Sequence, residues 1–389
     1  MKKIKIGLFI DTYFPLIDGV IMVVDNYAKE LSKYAEVVVV VPSITKDYDD
    51  KIHPYKIIRI KSIKVPTTEY HLATPIVDIK VTDELKMENF DIIHIHSPFA
   101  IGRLGIKLAK KLNIPVVITS HTQFKYEFEK YTKFSLAVDV MMKYIMNTFN
   151  KCNNCFVVNK RMLDVIKEYG YKNNLTVINN ATDMMPVKDK NLSCNIINKM
   201  YNLKDNDFVL LFVGRINAVK NIFFIIDVFK ILKKYNYNFK LLFVGNGPDL
   251  EKLKAKIKEN NLNNDVILCG EIKNRTMLAN IYARSNLFVF PSMFDTSSLV
   301  QIEAASQKTP SILIKGSVTA NTVSDDINGF LAENDKECFA NKIITIYENK
   351  ALYEKVSNRA YKDLYINWKQ TAKIVYKNYL KIINEYKKN

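Results

Sequence analysis

The chain has no uninterrupted apolar run approaching the roughly eighteen residues that a membrane-spanning helix needs. Its first apolar stretch follows Lys2, Lys3 and Lys5 and is cut short by Asp11, so no signal peptide is expected. Cysteine is sparse and odd in number: Cys152, Cys155, Cys194, Cys269 and Cys338 are scattered over 389 residues. That distribution excludes a disulfide framework and points to a reducing compartment. No Pro/Gly/Ser-rich or repetitive tract occurs, so the composition is globular. Zinc-finger spacing, an RNA-binding aromatic signature and an isolated basic tail are all missing, so no specific nucleic-acid partner is expected. What remains is a cytoplasmic protein of two-domain size, with the surface of a membrane open to it but not the interior.

One charge sign is in marked excess. The formal net charge is +17, with 48% apolar and 25% charged residues. Such a balance attracts polyanions: nucleic acid, anionic lipid surfaces or phosphorylated small molecules. Lys far outnumbers Arg, and Asn and Ile are abundant, a bias that a genome alone could produce. The stretch 123–151 mixes Lys125, Lys130, Lys133, Lys143 and Lys151 with Phe124, Tyr126, Phe128, Phe134, Met141 and Met142. Basic and bulky apolar residues together suit the plane of an anionic membrane. An ordinary surface helix accounts for the stretch equally well.

Hydrophobic patterning gives two halves with one rhythm. In the first, short apolar runs at 5–10, 36–41, 91–95, 115–119 and 156–158 read as strands, with helices at 20–34, 101–111 and 134–150. The second resumes after a polar, irregular stretch at 179–206. Strands are expected there at 208–213, 239–244, 265–268, 287–290 and 311–314, with helices at 221–235, 250–260, 276–284 and 297–307. The end, 335–388, reads as helical throughout. Alternation of this kind predicts two doubly wound parallel sheets, with ligands at the carboxyl ends of the strands in a cleft between them.

The residues with chemistry fall at those strand ends. In the segment 290–310, Asp295 and Glu303 stand eight apart, one at a helix start and one inside the helix, where two parts of a ligand can be gripped. Thr296, Ser297 and Ser298 supply cap hydroxyls there, and the helix start suits a phosphate. Arg215 and Lys220 flank the turn after the strand at 208–213, where a fork-shaped donor and a point charge could share a diphosphate. Gly245 and Gly247 follow the next strand, and Gly19 precedes the first helix; such glycines let backbone approach a ligand, though plain turns use them too. His121 and Thr122 end the strand at 115–119. His94 and His96 alternate to one face of their strand and are expected in the core. Cys152 and Cys155 have redox-motif spacing but sit before a strand, which favours a structural role. No third ligand completes a zinc site.

Taken together, these motifs resemble family 4 glycosyltransferases of the GT-B architecture. The resemblance covers nearly the whole chain: the loop with Gly19, His121-Thr122, Gly214-Arg215 with Lys220, Gly245 and Gly247 before Pro248, and the acid-x7-acid segment. It implies two Rossmann-like α/β domains, 1–180 for the acceptor and 181–365 for the donor, with 366–389 packing back on the first. It implies a retaining transfer of a hexose from a nucleotide-diphosphate sugar, a UDP-sugar by preference, without a metal or other cofactor. Arg215 and Lys220 would then hold the diphosphate, Glu303 the ribose, and Asp295 and His121 the sugar. Gly19, Gly245, Gly247, Ser297, Ser298 and Leu299 would line the donor. Basic members of this family glycosylate diacylglycerol or a glycolipid, so Thr122, Lys125, Lys130 and Lys133 are expected toward the acceptor or an anionic membrane surface at the inner face of the plasma membrane. A soluble or polysaccharide acceptor, or a catalytically inactive partner subunit, stays open, since Asp295 replaces the usual Glu, Ala218 stands where an acid commonly precedes Lys220, and 180–183 departs from the usual Asn-Gly-x-Asp turn.

Overall fold

The computed structural model describes residues 3–16, 18–44, 48–66, 71–75, 78–132, 134–235, 237–293, 295 and 299–388. It divides into two compact units, Met1–Asn180 with Trp368–Asn389, and Ala181–Asn367.

The first unit is built on strands β1 (Lys5–Phe9), β2 (Glu36–Pro42), β3 (Lys56–Ile60), β4 (Ser62–Lys64), β5 (His71–Ala73), β6 (Ile92–Ile95), β7 (Val116–Ser120), β8 (Asn154–Val157) and β9 (Asn174–Val177). Seven of them form one parallel sheet in the order β3-β2-β1-β6-β7-β8-β9, and β4 and β5 pair as a small antiparallel ribbon. The run Glu-Val-Val-Val-Val-Val-Pro of β2 is buried at every position but Glu36, as a strand covered on both faces must be. The helices of this unit are α1 (Gly19–Leu31), α2 (Ile79–Met87), α3 (Ala100–Leu112), α4 (Phe124–Tyr131), α5 (Ser135–Phe149) and α6 (Lys160–Glu168). Asp18 caps α1 by accepting from the Ile21 N–H at 2.8 Å.

The second unit opens with α7 (Lys190–Tyr201), followed by β10 (Phe208–Val213), α8 (Ile222–Leu232), β11 (Phe239–Val244), α9 (Leu250–Glu259), β12 (Val266–Gly270), α10 (Arg275–Arg284), β13 (Leu287–Phe290), α11 (Leu299–Ser306), β14 (Ser311–Ile314), β15 (Phe330–Ala332), α12 (Lys336–Glu348) and α13 (Lys350–Leu364). Its six parallel strands run β12-β11-β10-β13-β14-β15. The last helix, α14 (Trp368–Tyr386), returns to the first unit and packs on α1. Trp368 meets Tyr27 edge-on at 5.4 Å, and the Tyr379 hydroxyl lies 2.5 Å from His94 Nδ1.

Three readings of the sequence are corrected. The stretch 179–206 is not irregular throughout: α7 lies in it, capped by Asp189 and closed by Asn202 in the left-handed region. Its buried face is thin, with only Ser193 and Ile197 buried, so the apolar period is weak. The stretch 335–388 is three helices, because Asn349 ends α12 and caps α13 through the Leu352 N–H, and 365–367 separate α13 from α14. Between 123 and 150 there are two helices, α4 and α5. Cys152 and Cys155 are buried free thiols, and burial raises both above the ordinary thiol range, which leaves them inert. Among the described residues, no helix is long and apolar enough to cross a membrane.

Each sheet has one place where the strand order turns back. In the first unit β1 lies between β2 and β6, and in the second β10 lies between β11 and β13. Loops leaving adjacent strands there diverge to opposite faces, which opens a crevice at their carboxyl ends.

Candidate active site

In the second unit the crevice lies beyond Val213 of β10 and Phe290 of β13. Gly214 and Arg215 leave β10, and a short turn, Ala218–Lys220, follows. Asn217 and Asp249 hold that turn, accepting from the Lys220 N–H at 3.2 Å and the Ala218 N–H at 2.8 Å. Lys220 is ion-paired with Asp295, and its Nζ sits 5.5 Å from the centre of the Phe290 ring. Arg215 is exposed, and no acidic side chain partners it among the described residues. Leu299 starts α11. Ser297 and Ser298 lie outside the described residues, as do Lys133 and the side chain of Lys130. The arrangement offers a forked donor and a point charge at a strand-order reversal, where a diphosphate can be held by both.

Gly245 and Gly247 shape this turn from the side. A Cβ on Gly245 would stand 1.9 Å from the Gly214 carbonyl oxygen, and one on Gly247 would stand 2.3 Å from that of Ile216. Gly245 also has a φ of 139°, which disfavours any other residue. On the side where a Cβ would stand, these glycines therefore face the turn that carries Arg215. They let two strand-end turns pack backbone to backbone, joined by the Ile216 N–H donating to the Asn246 carbonyl at 2.9 Å.

Glu303 is only 7% exposed. Arg275 Nη2 donates to it at 2.8 Å and the Tyr282 hydroxyl at 3.1 Å. The same Arg275 nitrogen reaches Asp183 at 2.5 Å, so one guanidinium bridges two carboxylates. Burial pushes the Glu303 carboxyl above its ordinary range, while Arg275 and Tyr282 pull it back. Sequence reasoning singled out Glu303 but neither Arg275 nor Tyr282, and treated Asp183 only as part of an altered turn.

A pH signature follows. A folded-state pKa above the unfolded one means that the fold retains a proton the open chain has lost, so Glu303 costs stability as pH rises through its folded pKa. Arg275→Met, which strands that carboxylate, is expected to destabilise the second unit by about 1–3 kcal/mol at pH 8, discounted because Arg275 is 42% exposed. The deficit should shrink toward pH 4.5. Urea midpoints at the two pH values measure it, and an equal deficit at both would contradict the assigned pairing.

In the first unit, Asp11 follows β1 and is held by Ser97 Oγ at 2.6 Å and the Ile101 N–H at 2.7 Å, fixing the start of α3. Gly19 is the first residue of α1, and a Cβ there would meet nothing within 4 Å, so space lies open beside it. His121 follows β7; its Nε2 is 3.1 Å from His96 Nδ1, and the two rings stack at 5.4 Å. Burial lowers the His121 imidazole to about 3, so it meets any ligand as a neutral hydrogen-bonding ring. His94 on β6 and His96 just beyond its end are both buried, with ring centres 4.0 Å apart. Thr122 is half-buried and Lys125 is exposed on α4. The site residues thus form two groups: Gly19, His121, Thr122 and Lys125 in the first unit, and Arg215, Lys220, Gly245, Gly247, Asp295, Leu299 and Glu303 in the second.

Comparison with known proteins gives a consistent answer for both units. Residues 17–184 match the family model described as Glycosyltransferase Family 4, and residues 195–363 match Glycosyl transferases group 1. The chain is 26% identical over 383 residues to alpha-monoglucosyldiacylglycerol synthase of Acholeplasma laidlawii, covering 96% of this chain and 94% of that protein. It is 28% identical over 334 residues to the protein of the same name from Streptococcus pneumoniae, covering 84% and 75%. Among solved structures, Anabaena HepE in complex with UDP superposes with a TM-score of 0.77 at 16% identity, covering 97% of this chain and 99% of that one. At that identity the likeness establishes the fold.

Proposed function

The chain belongs to the family 4 glycosyltransferases and has the GT-B fold, and on that premise we propose that it moves a hexose, with retention of configuration, from a UDP-sugar to a hydroxyl of diacylglycerol or a glycolipid. The observation that carries the donor half is the convergence of Arg215 and the Lys220–Asp295 pair where β10 and β13 end. In this reading the bond between the anomeric carbon and the diphosphate oxygen breaks as the acceptor hydroxyl oxygen bonds that carbon on the same face. The hydroxyl proton passes to the released diphosphate, and Arg215 and Lys220 stabilise the charge that collects on the leaving phosphate. Glu303, held by Arg275 and Tyr282, accepts from the ribose hydroxyls. Asp295 contacts sugar hydroxyls, and neutral His121 hydrogen-bonds the sugar. The open side of Gly19 admits the diphosphate, and the N–H of Leu299, at the start of α11, reaches a donor oxygen. No resident cofactor or metal has a part in this scheme.

The lipid acceptor draws support from the names of the relatives and from the apolar face of α5. On that helix Leu136, Val140 and Tyr144, four residues apart, are 75, 62 and 46% exposed, which suits the helix to a membrane surface. Incubating the full chain with a panel of nucleotide sugars, with and without liposomes containing diacylglycerol, tests both halves. Labelled glycolipid from UDP-glucose is the expected product. Transfer only to a soluble or polysaccharide acceptor would remove the lipid assignment, and no turnover of any donor would leave the reading of an inactive partner subunit.

A further inference from the structure

Against His121 stands a buried ring that the transfer scheme leaves without a part. His96 follows β6, and its backbone N–H donates to the Phe9 carbonyl at 2.8 Å. It is 3% exposed, whereas His121 is half-buried. The two rings lie within 19° of parallel, and His96 Nδ1 is 3.1 Å from His121 Nε2. His94 also packs on His96, but its own nitrogens are committed elsewhere, Nδ1 to the Tyr379 hydroxyl and Nε2 to the Thr119 hydroxyl. Tyr27, which Trp368 meets edge-on, closes in at 5.9 Å between ring centres. Among the described residues, His121 is thus the single hydrogen-bond partner of the His96 side chain.

A contact between two neutral imidazoles needs one nitrogen that carries a proton and one that does not. The far nitrogen of His96 decides which. Its Nε2 is buried and meets no partner. A proton there would strand a buried N–H, the rarer and costlier kind of orphan, whereas a proton on Nδ1 leaves only a bare lone pair behind. His96 is therefore the donor, from Nδ1–H to His121 Nε2. His121 Nε2 then accepts, so the proton of that ring sits on Nδ1.

We propose that His96 is a positioning residue: its hydrogen bond fixes the plane and the tautomer of His121, so that His121 Nδ1–H donates to a hydroxyl oxygen of the transferred sugar. This role rests on the reading of His121 as a sugar contact and gives that contact its direction. The opposite tautomer would offer the sugar a bare lone pair and turn the ring from donor to acceptor.

Proton–nitrogen correlation spectra of the full chain carrying isotope-labelled histidine read the tautomer directly, with the His121 signals assigned by their loss in His121→Asn. His121 is expected as the Nδ1–H form at neutral pH, and the Nε2–H form would overturn the proposal even where a His96 variant fails to fold. His96→Leu, which removes the donor, should lower kcat for UDP-glucose turnover by at least about tenfold while KM moves by under about threefold. His96→Asn sets an amide N–H near the position of Nδ1 and should recover most of that loss. Both variants shrink the same buried side chain, so lost packing alone would slow them equally. Equal kcat in the two, or an unaltered kcat in His96→Leu, would therefore overturn the proposal. No turnover of any donor by the unaltered chain would remove the transfer reading and the sugar as the partner of His121, whereas turnover with the Nε2–H form would sink the role of His96 alone.

Discussion

Lys220→Ala is expected to lower kcat for donor turnover by about 10²–10³-fold, with a much smaller change in the affinity for free UDP. The cation sits where the strand order reverses, over Phe290 and beside Asp295. A charge in that position gains most from the negative charge that develops as the sugar leaves, and less from the ground-state diphosphate, whose charge Arg215 also meets. Arg215→Ala should produce a comparable loss divided between KM and kcat, because an exposed forked donor grips the diphosphate before and during bond breaking. Asp295→Asn separates two roles: if the carboxylate only holds Lys220, the variant keeps much of kcat, and if it also binds sugar hydroxyls, KM for the sugar nucleotide rises. Lys220 is a partly exposed surface cation, so its loss should change folding stability by under about 1 kcal/mol. Single-turnover rates with UDP-glucose, beside thermal melts, distinguish lost chemistry from lost fold. Unchanged kcat in both cation variants would refute the donor assignment.

What the sequence discloses depends on how local the cause is. Strands β2 and β10 are legible because a strand buried on both faces must be apolar along its length, and Val-Val-Val-Val-Val and Phe-Val-Leu-Leu-Phe-Val state it outright; β11, Phe-Lys-Leu-Leu-Phe-Val, departs from it only at the half-buried Lys240. The edge strand β9 is half-buried and mixed in composition, and α7 buries so little that neither announces itself. The turn with Arg215 and Lys220 is readable since it follows an unmistakable strand. The company of Glu303 is not, because Tyr282 and Arg275 come from another helix, 21 and 28 residues away, and Asp183 meets Arg275 across 92 residues. Similarly, alternation on β6 predicts that His94 and His96 share a face, while the hydroxyl that holds His94 arrives from Tyr379, 285 residues later.

That histidine cluster makes the first unit the acid-labile half of the protein. His94, His96 and His121 are neutral in the fold because burial holds each imidazole below its ordinary value, His121 at about 3. Below about pH 6.5 the unfolded chain binds protons at these three positions and the folded one does not, so stability falls as pH drops, by up to about 4 kcal/mol per pH unit once the open chain is fully protonated. His53, also lowered, acts in the same sense, and Asp11 and Asp18, raised by burial, act in the opposite one while they hold their protons. All five histidines lie between 53 and 121, so the second unit, Ala181–Asn367, contains none. The only tryptophan, Trp368, belongs to the first unit and packs on Tyr27, whose ring centre is 5.9 Å from that of His96. Its fluorescence therefore reports the half that should fail. Between pH 7.5 and pH 5 the urea midpoint seen by Trp368 should drop steeply, while backbone circular dichroism keeps a second transition from the histidine-free unit. His94→Gln or His96→Gln should each remove about 1.4 kcal/mol per pH unit from the slope, even where the substitution lowers stability at neutral pH. Parallel pH profiles for these variants and the unaltered chain would mean that His94 and His96 carry protons in the fold, and the assignment of neutral buried rings on this strand would fall.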